Sequence, residues 1–314
     1  MRRVLLAMAS SLLACAPVLA QDANFLLRPD TIEIRLRDAP LQVLGARGSR
    51  AEGDRTYYIT LAFEDSSVLG AKLAKASPGA STFNNEPRYE LAAFVLQKLF
   101  LGPDEYVVPP TVIRAVPTDW LRRYDSGAQP TFEGLASTLI LLQYWLMQVT
   151  PEDVWDKDRL ARDSVYARHV GNLNVLTYLI RHNDANVGNI LISTLESNPR
   201  LFSVDNGLAF GSEVSNRGYA WRNLRVDRLP AATVERLRRI APEQLQALGV
   251  LVQFERLGPM LVPVAIGDNR NPGRGVRDVD GVVQLGLTER EIRDVQSRLR
   301  RLLEDVDEGK IRTF

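Results

Sequence analysis

Cysteine and lysine are scarce in this sequence of 314 residues. The single cysteine, Cys15, lies near the N-terminus, so a chain that lost its first twenty residues would have no disulfide, catalytic thiol or cysteine-bound metal. Most basic residues are arginine, which makes any well-placed lysine informative; the lysines are Lys72, Lys75, Lys98, Lys157 and Lys310. The formal net charge of +1 predicts no nucleic-acid partner.

Long apolar runs are also missing beyond the N-terminus. Arg2 and Arg3 precede an apolar stretch, residues 4–14, that is too short to span a bilayer, and V-L-A at 18–20 offers small residues for cleavage. We therefore predict a signal peptide over residues 1–20 and an exported protein, periplasmic or secreted, with no transmembrane helix after signal removal. An uncleaved anchor is one alternative. Another is a lipid anchor on Cys15, because L-L-A-C at 12–15 resembles a lipobox.

The first half of the chain is rich in strand-forming patterns. An apolar fraction of 45% with 25% charged residues is ordinary for a folded globular domain. Alternation and β-branched or aromatic residues predict strands over 31–36, 56–63 and 68–74, with two more between 106 and 116. Leu91, Phe94, Val95 and Leu99 share one helical face. Residues 21–134 are thus predicted to form a small β-rich lobe.

The second half favours helices. Residues 136–149 begin as an apolar strand that crosses between lobes, and a core helix follows and ends near His182. Short strands are predicted at 190–193 and 201–204, helices at 231–240 and 242–248, and a loop at 267–281. Thr288 and Glu291 have capping-box spacing before the last helix. The fold class is therefore α+β, with a mainly helical second lobe over residues 135–314.

The strongest chemical motif is H-N-D-A-N-V-G-N, which runs from His182 to Asn189 between a helix and a strand. A protein-kinase catalytic loop, H-R-D-x-x-x-x-N, occurs in the same context and has the same spacing between Asp and Asn. Asp184 would orient or deprotonate the attacking hydroxyl, and Asn189 would bind a metal ion. Asn183 replaces the arginine of that motif. A polar turn without catalytic function is the alternative, because Asn, Asp and Gly favour turns.

A second acidic loop follows at the end of the next strand. Asp205 begins D-N-G-L-A-F, at the position of the kinase D-F-G segment, with Asn206 in place of phenylalanine. A carboxylate there would hold the metal ions that bridge the phosphates of ATP. A plain strand-end turn is the alternative. Two acidic loops at opposite ends of one hairpin favour the catalytic interpretation.

A lysine and a glutamate upstream complete the predicted set. Lys72 lies on the third strand and Glu90 on the following helix, where an ion pair would direct the lysine to the phosphates. Lys75 and Glu86 are weaker candidates for the same roles, and surface salt bridges are the alternative. Gly48, with Gly45 and Gly53, predicts a phosphate-covering loop, although a flexible hairpin explains these glycines equally well.

Several segments resemble known kinases. E-L-A-A-F-V-L-Q-K-L from Glu90, with V-V-P-P-T-V downstream, resembles the secretory-pathway kinases of the Golgi casein kinase group, and D-N-G-L-A-F resembles type II phosphatidylinositol 4-kinases. The resemblance implies an atypical protein-kinase-like fold that binds ATP with Mg or Mn. It also implies that Lys72, Glu90, Asp184, Asn189 and Asp205 have the roles given above. No A-P-E segment follows Asp205.

These motifs predict an exported ATP-dependent kinase that transfers the γ-phosphoryl group to a hydroxyl of a protein, glycan or lipid. Its partners would be ATP and this unidentified hydroxyl-bearing substrate. A nucleotide-binding pseudokinase without turnover is the main alternative. Transfer of AMP on the same fold is a third possibility.

Overall fold

The computed structural model describes residues 23–48, 56–81, 86–211 and 215–314. The predicted signal peptide, Cys15 and Gly53 lie outside these ranges. Within them, no helix combines the length and the apolar composition that crossing a bilayer requires.

A five-stranded antiparallel sheet dominates the first part of the chain. In spatial order its strands are β1 (Gln42–Gly48), β2 (Thr56–Ala62), β3 (Val68–Lys75), β5 (Ser137–Tyr144) and β4 (Thr111–Pro117). The strand predicted to begin the second lobe, β5, is thus hydrogen-bonded between β3 and β4 inside this sheet. Every residue of β5 is buried, because both of its faces are covered.

A helix, α1 (Pro29–Asp38), covers the outer face of the sheet. The prediction of a strand over 31–36 was wrong. Ile32 and Leu36 are fully buried whereas Ile34 is 53% exposed, which is the four-residue period of a helix and not the alternation of a strand. Pro29 in the first turn also favours a helix start. The sequence pattern of residues 31–36 is compatible with both a strand and a helix, and packing against the sheet favours the helix.

Only one strand, β4, forms between residues 106 and 117, where two were predicted. The backbone N–H groups before Pro109 bond to a side chain, while the Val107 carbonyl accepts a single hydrogen bond from the Ser203 N–H at 2.7 Å. Gln97 Oε1 accepts hydrogen bonds from the backbone N–H groups of Val107 and Val108, each at 2.8 Å, and Gln97 Nε2 donates to the Val108 carbonyl at 2.9 Å. Gln97 belongs to α2 (Pro87–Gln97), which is buried on nearly every side.

The second part of the chain is helical around α5 (Ser164–Leu179), which is buried along most of its length. The other helices are α3 (Thr118–Arg122), α4 (Lys157–Arg162), α6 (Ala231–Arg238), α7 (Pro242–Gln246) and α8 (Glu289–Asp307). The predicted capping box of α8 is present: Glu291 N–H donates to Thr288 Oγ1 at 3.2 Å, and Thr288 N–H donates to Glu291 Oε2 at 2.7 Å. Two small sheets complete this part. The first contains β6 (Val149–Thr150), β7 (Ile190–Ser193) and β8 (Leu201–Ser203), and the second pairs β9 (Arg228–Leu229) with β14 (Arg312–Thr313).

A further four-stranded sheet was not predicted. Its strands are β11 (Met260–Val264), β10 (Val252–Leu257), β13 (Val282–Leu285) and β12 (Val276–Val279), in that order. The turn between β12 and β13 is Asp280-Gly281, with φ of 51° and 76°, which is the turn chemistry of a tight hairpin. This strand pair occupies part of the segment predicted as a loop, and the sheet packs against Leu91 and Leu141 beside α2.

Candidate active site

Lys72, Glu90 and Asp205 meet in one cluster on the inner face of the five-stranded sheet. Lys72 Nζ lies 3.0 Å from Glu90 Oε1 and 2.8 Å from Asp205 Oδ1. The sheet supplies the lysine, α2 the glutamate, and the turn after β8 the aspartate. The alternative candidates have other partners: Lys75 contacts Asp125, and Glu86 Oε2 accepts from Arg88 Nε at 3.2 Å.

Glu90 is held in place from three directions. Besides Lys72, its carboxylate accepts a hydrogen bond from the backbone N–H of Asn206 at 3.0 Å and faces Gln143 Nε2 at 3.4 Å. Glu90 is only 2% exposed. Asn206, which stands where D-F-G kinases have phenylalanine, is anchored by Ser203 Oγ at 2.7 Å. The backbone N–H of Asn206 thus holds Glu90, and the Asn206 side chain holds the turn through Ser203.

Lys72 and Asp205 stay charged near neutral pH. Burial alone would lower the pKa of Lys72, but the nearby carboxylates of Glu90 and Asp205 outweigh it and raise that pKa above its ordinary value. Burial would likewise raise the pKa of Asp205, and the adjacent ammonium of Lys72 outweighs it and lowers that pKa. The lysine is therefore a permanent cation between two carboxylates.

Asp184 and Asn189 lie in the turn between α5 and β7, as the motif predicted. Asn189 Nδ2 donates to Asp184 Oδ2 at 3.0 Å and to the Asp184 carbonyl at 2.8 Å. Asn186 Nδ2 donates to Asp184 Oδ1 at 2.8 Å. The backbone N–H of Val204 donates to the Asn189 carbonyl at 2.9 Å, which joins this turn to the residue before Asp205. The two acidic loops are therefore neighbours across one hairpin.

Asp205 adopts a left-handed backbone conformation, with φ 58° and ψ 49°. Such a conformation is uncommon for residues other than glycine and frequently marks functional turns, although Asp tolerates it better than most. Its side chain is 44% exposed although Lys72 contacts one of its oxygens. The carboxylate thus contacts the lysine through one oxygen while part of the side chain stays open to solvent.

Asn189 and Asp205 fit a divalent cation bound with phosphates. Asn189 uses its amide nitrogen on Asp184, which leaves its amide oxygen as a ligand. Magnesium is commonly held by only one or two carboxylates together with phosphate oxygens and water. No group of three or more His, Cys, Asp or Glu side chains suited to a metal occurs among the described residues.

Arg217 was missed at the sequence level. Its Nε lies 3.2 Å from Asp184 Oδ1, and its side chain is 67% exposed. Neighbouring Gly218 fixes the segment: its N–H donates to the Asn183 carbonyl at 2.9 Å, and a Cβ at this position would lie 2.3 Å from the His182 carbonyl oxygen. Only glycine permits this approach. In the sequence these residues appear only as an Arg-Gly pair, and such a pair is too common to indicate a functional site.

Gly48 ends β1, opposite Tyr57 on β2. The rest of the glycine-containing loop lies outside the described residues, so its contact with phosphate stays a prediction. Tyr58, Gly70 and Trp145 lie together on the same sheet as Lys72, with the rings of Tyr58 and Trp145 5.1 Å apart. Tyr58 is paired directly opposite Lys72, so these aromatic side chains lie on the face of the sheet that carries Lys72.

Solved structures of similar fold identify the architecture. The chain is similar to the structure of a Hydra Fam20 with sugar, with 13% identity, a TM-score of 0.56, and 92% of each chain covered. It is also similar to a Golgi casein kinase, with 12% identity, a TM-score of 0.52, and 89% of this chain and 74% of the other covered. A third similar structure is a Golgi casein kinase with Mn/ADP bound, with 13% identity and a TM-score of 0.50; the match covers 89% of this chain and 75% of the other.

No family model matches the sequence, and no curated protein matches it significantly. The structural similarity confirms the predicted atypical kinase-like fold and the α+β class, with a sheet-rich N-terminal part and a helical C-terminal part. The resemblance of D-N-G-L-A-F to type II phosphatidylinositol 4-kinases stays a prediction.

Proposed function

We propose that this protein is an exported, ATP-dependent kinase that uses Mg or Mn to transfer the γ-phosphoryl group to a hydroxyl of a protein, glycan or lipid. The observation that carries the proposal is the position of Lys72, 3.0 Å from Glu90 and 2.8 Å from Asp205. Phosphoryl transfer depends mainly on such positioning and electrostatic stabilisation. A salt bridge with a purely structural role would need only one carboxylate, whereas Lys72 also contacts the half-exposed carboxylate of Asp205.

Each residue has a role that its surroundings support. Glu90 aims Lys72 at the phosphates, and Lys72 neutralises their charge. Asn189 and Asp205 would hold the metal ion, which shields the phosphate charge when it is bound. Asp184 accepts a hydrogen bond from the acceptor hydroxyl and takes its proton as the new bond between the hydroxyl oxygen and the γ-phosphorus forms. The bond from the γ-phosphorus to the β,γ-bridging oxygen breaks, and ADP leaves.

Arg217 would assist at the same point. Arg217 pairs with Asp184, and its exposed guanidinium can turn toward an anionic group bound beside it. A guanidinium is a strong donor to phosphate oxygens. Arg217 therefore supplies a cation beside the transferred group, from a segment that the catalytic loop itself holds in place.

The solved neighbours support this choice of ligands. The Golgi casein kinase structure contains Mn and ADP, which supports nucleotide and metal binding here. The Hydra Fam20 structure contains sugar, which supports including glycans among the acceptors to be tested. Asn183 in place of the motif's arginine argues against control through an arginine-linked activation segment.

Purified protein lacking residues 1–20 tests the proposal when it is incubated with Mg-ATP or Mn-ATP and a panel of protein, glycan and lipid acceptors. We expect metal-dependent ADP release, and loss of metal-dependent ATP binding in Asp205→Ala. Glu304→Gln, an exposed carboxylate on α8, is the control. AMP release would indicate nucleotidyl transfer, and ATP binding without turnover would indicate a pseudokinase. Binding of Mg-ATP by Asp205→Ala at the parent's affinity would overturn the assigned metal role.

The exported location has its own test. N-terminal sequencing of protein recovered from outside the cytoplasm should begin at Gln21. A start at a lipid-modified Cys15 would support a tethered enzyme, and a start at Met1 would contradict signal removal.

A further inference from the structure

A second charged cavity lies in the helical part of the chain, apart from the cluster around Lys72. Its volume is about 340 Å³, and it shares no residue with the candidate active site. Four cationic side chains and one carboxylate line it, together with a tryptophan: Lys157, Arg225, Arg228, Arg312, Asp227 and Trp155. The excess of positive charge predicts an anionic occupant.

Arg225 is fixed by aromatic rings. Its guanidinium carbon lies 3.6 Å from the ring centroid of Trp155 and 5.1 Å from that of Trp221. The two tryptophan rings are 5.8 Å apart and nearly perpendicular. Stacking of this kind restrains a guanidinium while leaving its N–H groups at the edge free to donate.

The backbone around Arg225 is also fixed, by a fully buried asparagine of α5. Asn174 Oδ1 accepts hydrogen bonds from the N–H groups of Arg225 at 2.7 Å and Val226 at 3.3 Å. Asn174 Nδ2 donates to the carbonyls of Trp221 at 3.2 Å and Asn223 at 2.9 Å. All of these hydrogen bonds from the Asn174 side chain go to the segment that carries Arg225, so the guanidinium is held in position before any ligand binds.

The charge of Arg225 has no counterion among the residues that the structure describes. Among the described residues no carboxylate pairs with Arg225 or Lys157, whereas Arg312 Nη2 lies 2.6 Å from Asp227 Oδ2 and Arg228 donates to the Leu160 carbonyl. Burial lowers the pKa of Arg225, and no nearby carboxylate offsets this effect. A positioned, partly buried and unpaired cation is costly unless a ligand compensates it.

We propose that this cavity is a binding site for a phosphate-bearing ligand, with Arg225 and Lys157 as its principal donors. Guanidinium groups bind phosphate oxygens through paired hydrogen bonds, and the volume admits a phosphate with an attached small group. Trp155 forms an apolar wall for that group. The proposal does not depend on the kinase reaction.

Tryptophan fluorescence tests the site, because Trp155 and Trp221 stack on Arg225. The parent is titrated with inorganic phosphate, inorganic pyrophosphate and vesicles containing phosphatidic acid, with chloride and neutral vesicles as controls. We expect a saturable change that Arg225→Gln and Lys157→Ala each weaken about tenfold or more. Arg300→Gln, a 71% exposed arginine of α8, should bind as the parent does. The saturable change that depends on Arg225 and Lys157 should persist in Lys72→Ala, because Lys72 does not line this cavity.

The results separate the possibilities. A response to soluble phosphate supports a free phosphate compound, and a response confined to phosphatidic acid vesicles supports a lipid headgroup. Lys157 is exposed, so Lys157→Ala keeps the test valid even where Arg225→Gln fails to fold. The proposal is overturned where none of the probes binds, or where binding is lost in Lys72→Ala and retained in Lys157→Ala.

Discussion

Arg217 Nε and Asp184 Oδ1 lie 3.2 Å apart, although Arg217 comes from the segment after Asp205 and Asp184 from the turn before β7. The pair gives the carboxylate a cationic partner, whereas its neighbours in the turn, Asn183, Ala185 and Asn186, are uncharged. It also shows how the two segments share one site. The first two predictions separate the contributions of these residues.

Asp184→Ala should reduce turnover about 100-fold or more and leave the affinity for Mg-ATP nearly unchanged, because its carboxylate faces the acceptor hydroxyl in the proposed reaction. ADP release under saturating ATP and calorimetric titration with a non-hydrolysable ATP analogue give the two quantities. Equal turnover of parent and variant, once a contaminating ATPase is excluded, would remove Asp184 from the chemistry.

Arg217→Gln should reduce kcat by about tenfold or more with a small change in the KM for ATP, since the cation acts as charge develops. Arg217→Lys should recover part of the activity because it retains the charge. Arg293→Gln is the matched control, as an arginine of α8 with 64% side-chain exposure. A loss confined to KM would show that Arg217 contributes to binding alone.

Glu291→Gln should destabilise the fold by about 2–4 kcal/mol, because it removes the main partner of a buried arginine. Arg88 donates to both oxygens of Glu291, at 2.7 Å and 3.0 Å, and thereby ties α2 to α8. Nucleotide affinity should fall too, since α2 carries Glu90. Urea unfolding gives the stability, with Glu304→Gln as the control: its exposed ion pair at 4.0 Å should contribute less than about 1 kcal/mol. Similar losses in both variants would contradict this role.

Gly218→Ala should cost about 1–3 kcal/mol and strongly reduce turnover, because the added Cβ would lie 2.3 Å from the His182 carbonyl oxygen. Gly102→Ala is the control, since its backbone φ is −77° and its nearest atom would be 3.9 Å away. Thermal unfolding and ADP release measure the two effects. An active, fully stable Gly218→Ala would disprove the tight contact.

Stability should fall as the pH drops from 7 to 5. Burial lowers the pKa of both His169 and His182 to about 4, whereas an unfolded histidine titrates near 6.5. The unfolded chain therefore binds more protons in this window, and each histidine costs about 2 kcal/mol at pH 5 relative to pH 7. Urea unfolding of His169→Gln at both pH values should show about half of the parent's loss. An unchanged loss would assign the effect elsewhere.

The sequence pattern picked out Asp184, Asn189 and Asp205 through local spacing, and Lys72 and Glu90 through their order on the third strand and the following helix. Asp184 and Asn189 lie in one turn, and Asp205 ends the hairpin that follows, so five-residue spacing and strand ends were sufficient. Arg217 and Gly218 join the site through packing against the Asn183 carbonyl, which no local pattern encodes. Their roles depend on contacts between distant segments.

The same distinction applies to the fold. Strands β2 and β3 have clear propensities, whereas Ile32 and Leu36 fit two periods until the sheet beneath them selects the helix. The four-stranded sheet escaped prediction because its core faces α2 and β5, far away in the chain. Its buried strand β13 is too short to be distinguished from other apolar runs by pattern alone.

The position of that sheet also bears on how the chain folds during synthesis. Phe254, Leu261 and Val283 pack against Leu139 and Leu141, so the hydrophobic core beside α2 is closed only by residues made more than a hundred positions later. Contacts of such long sequence separation slow folding, because the intervening loop must close before they form. A nascent chain that stops after α5 would expose the unprotected side of α2, which makes this surface the first place to look for chaperone binding or aggregation.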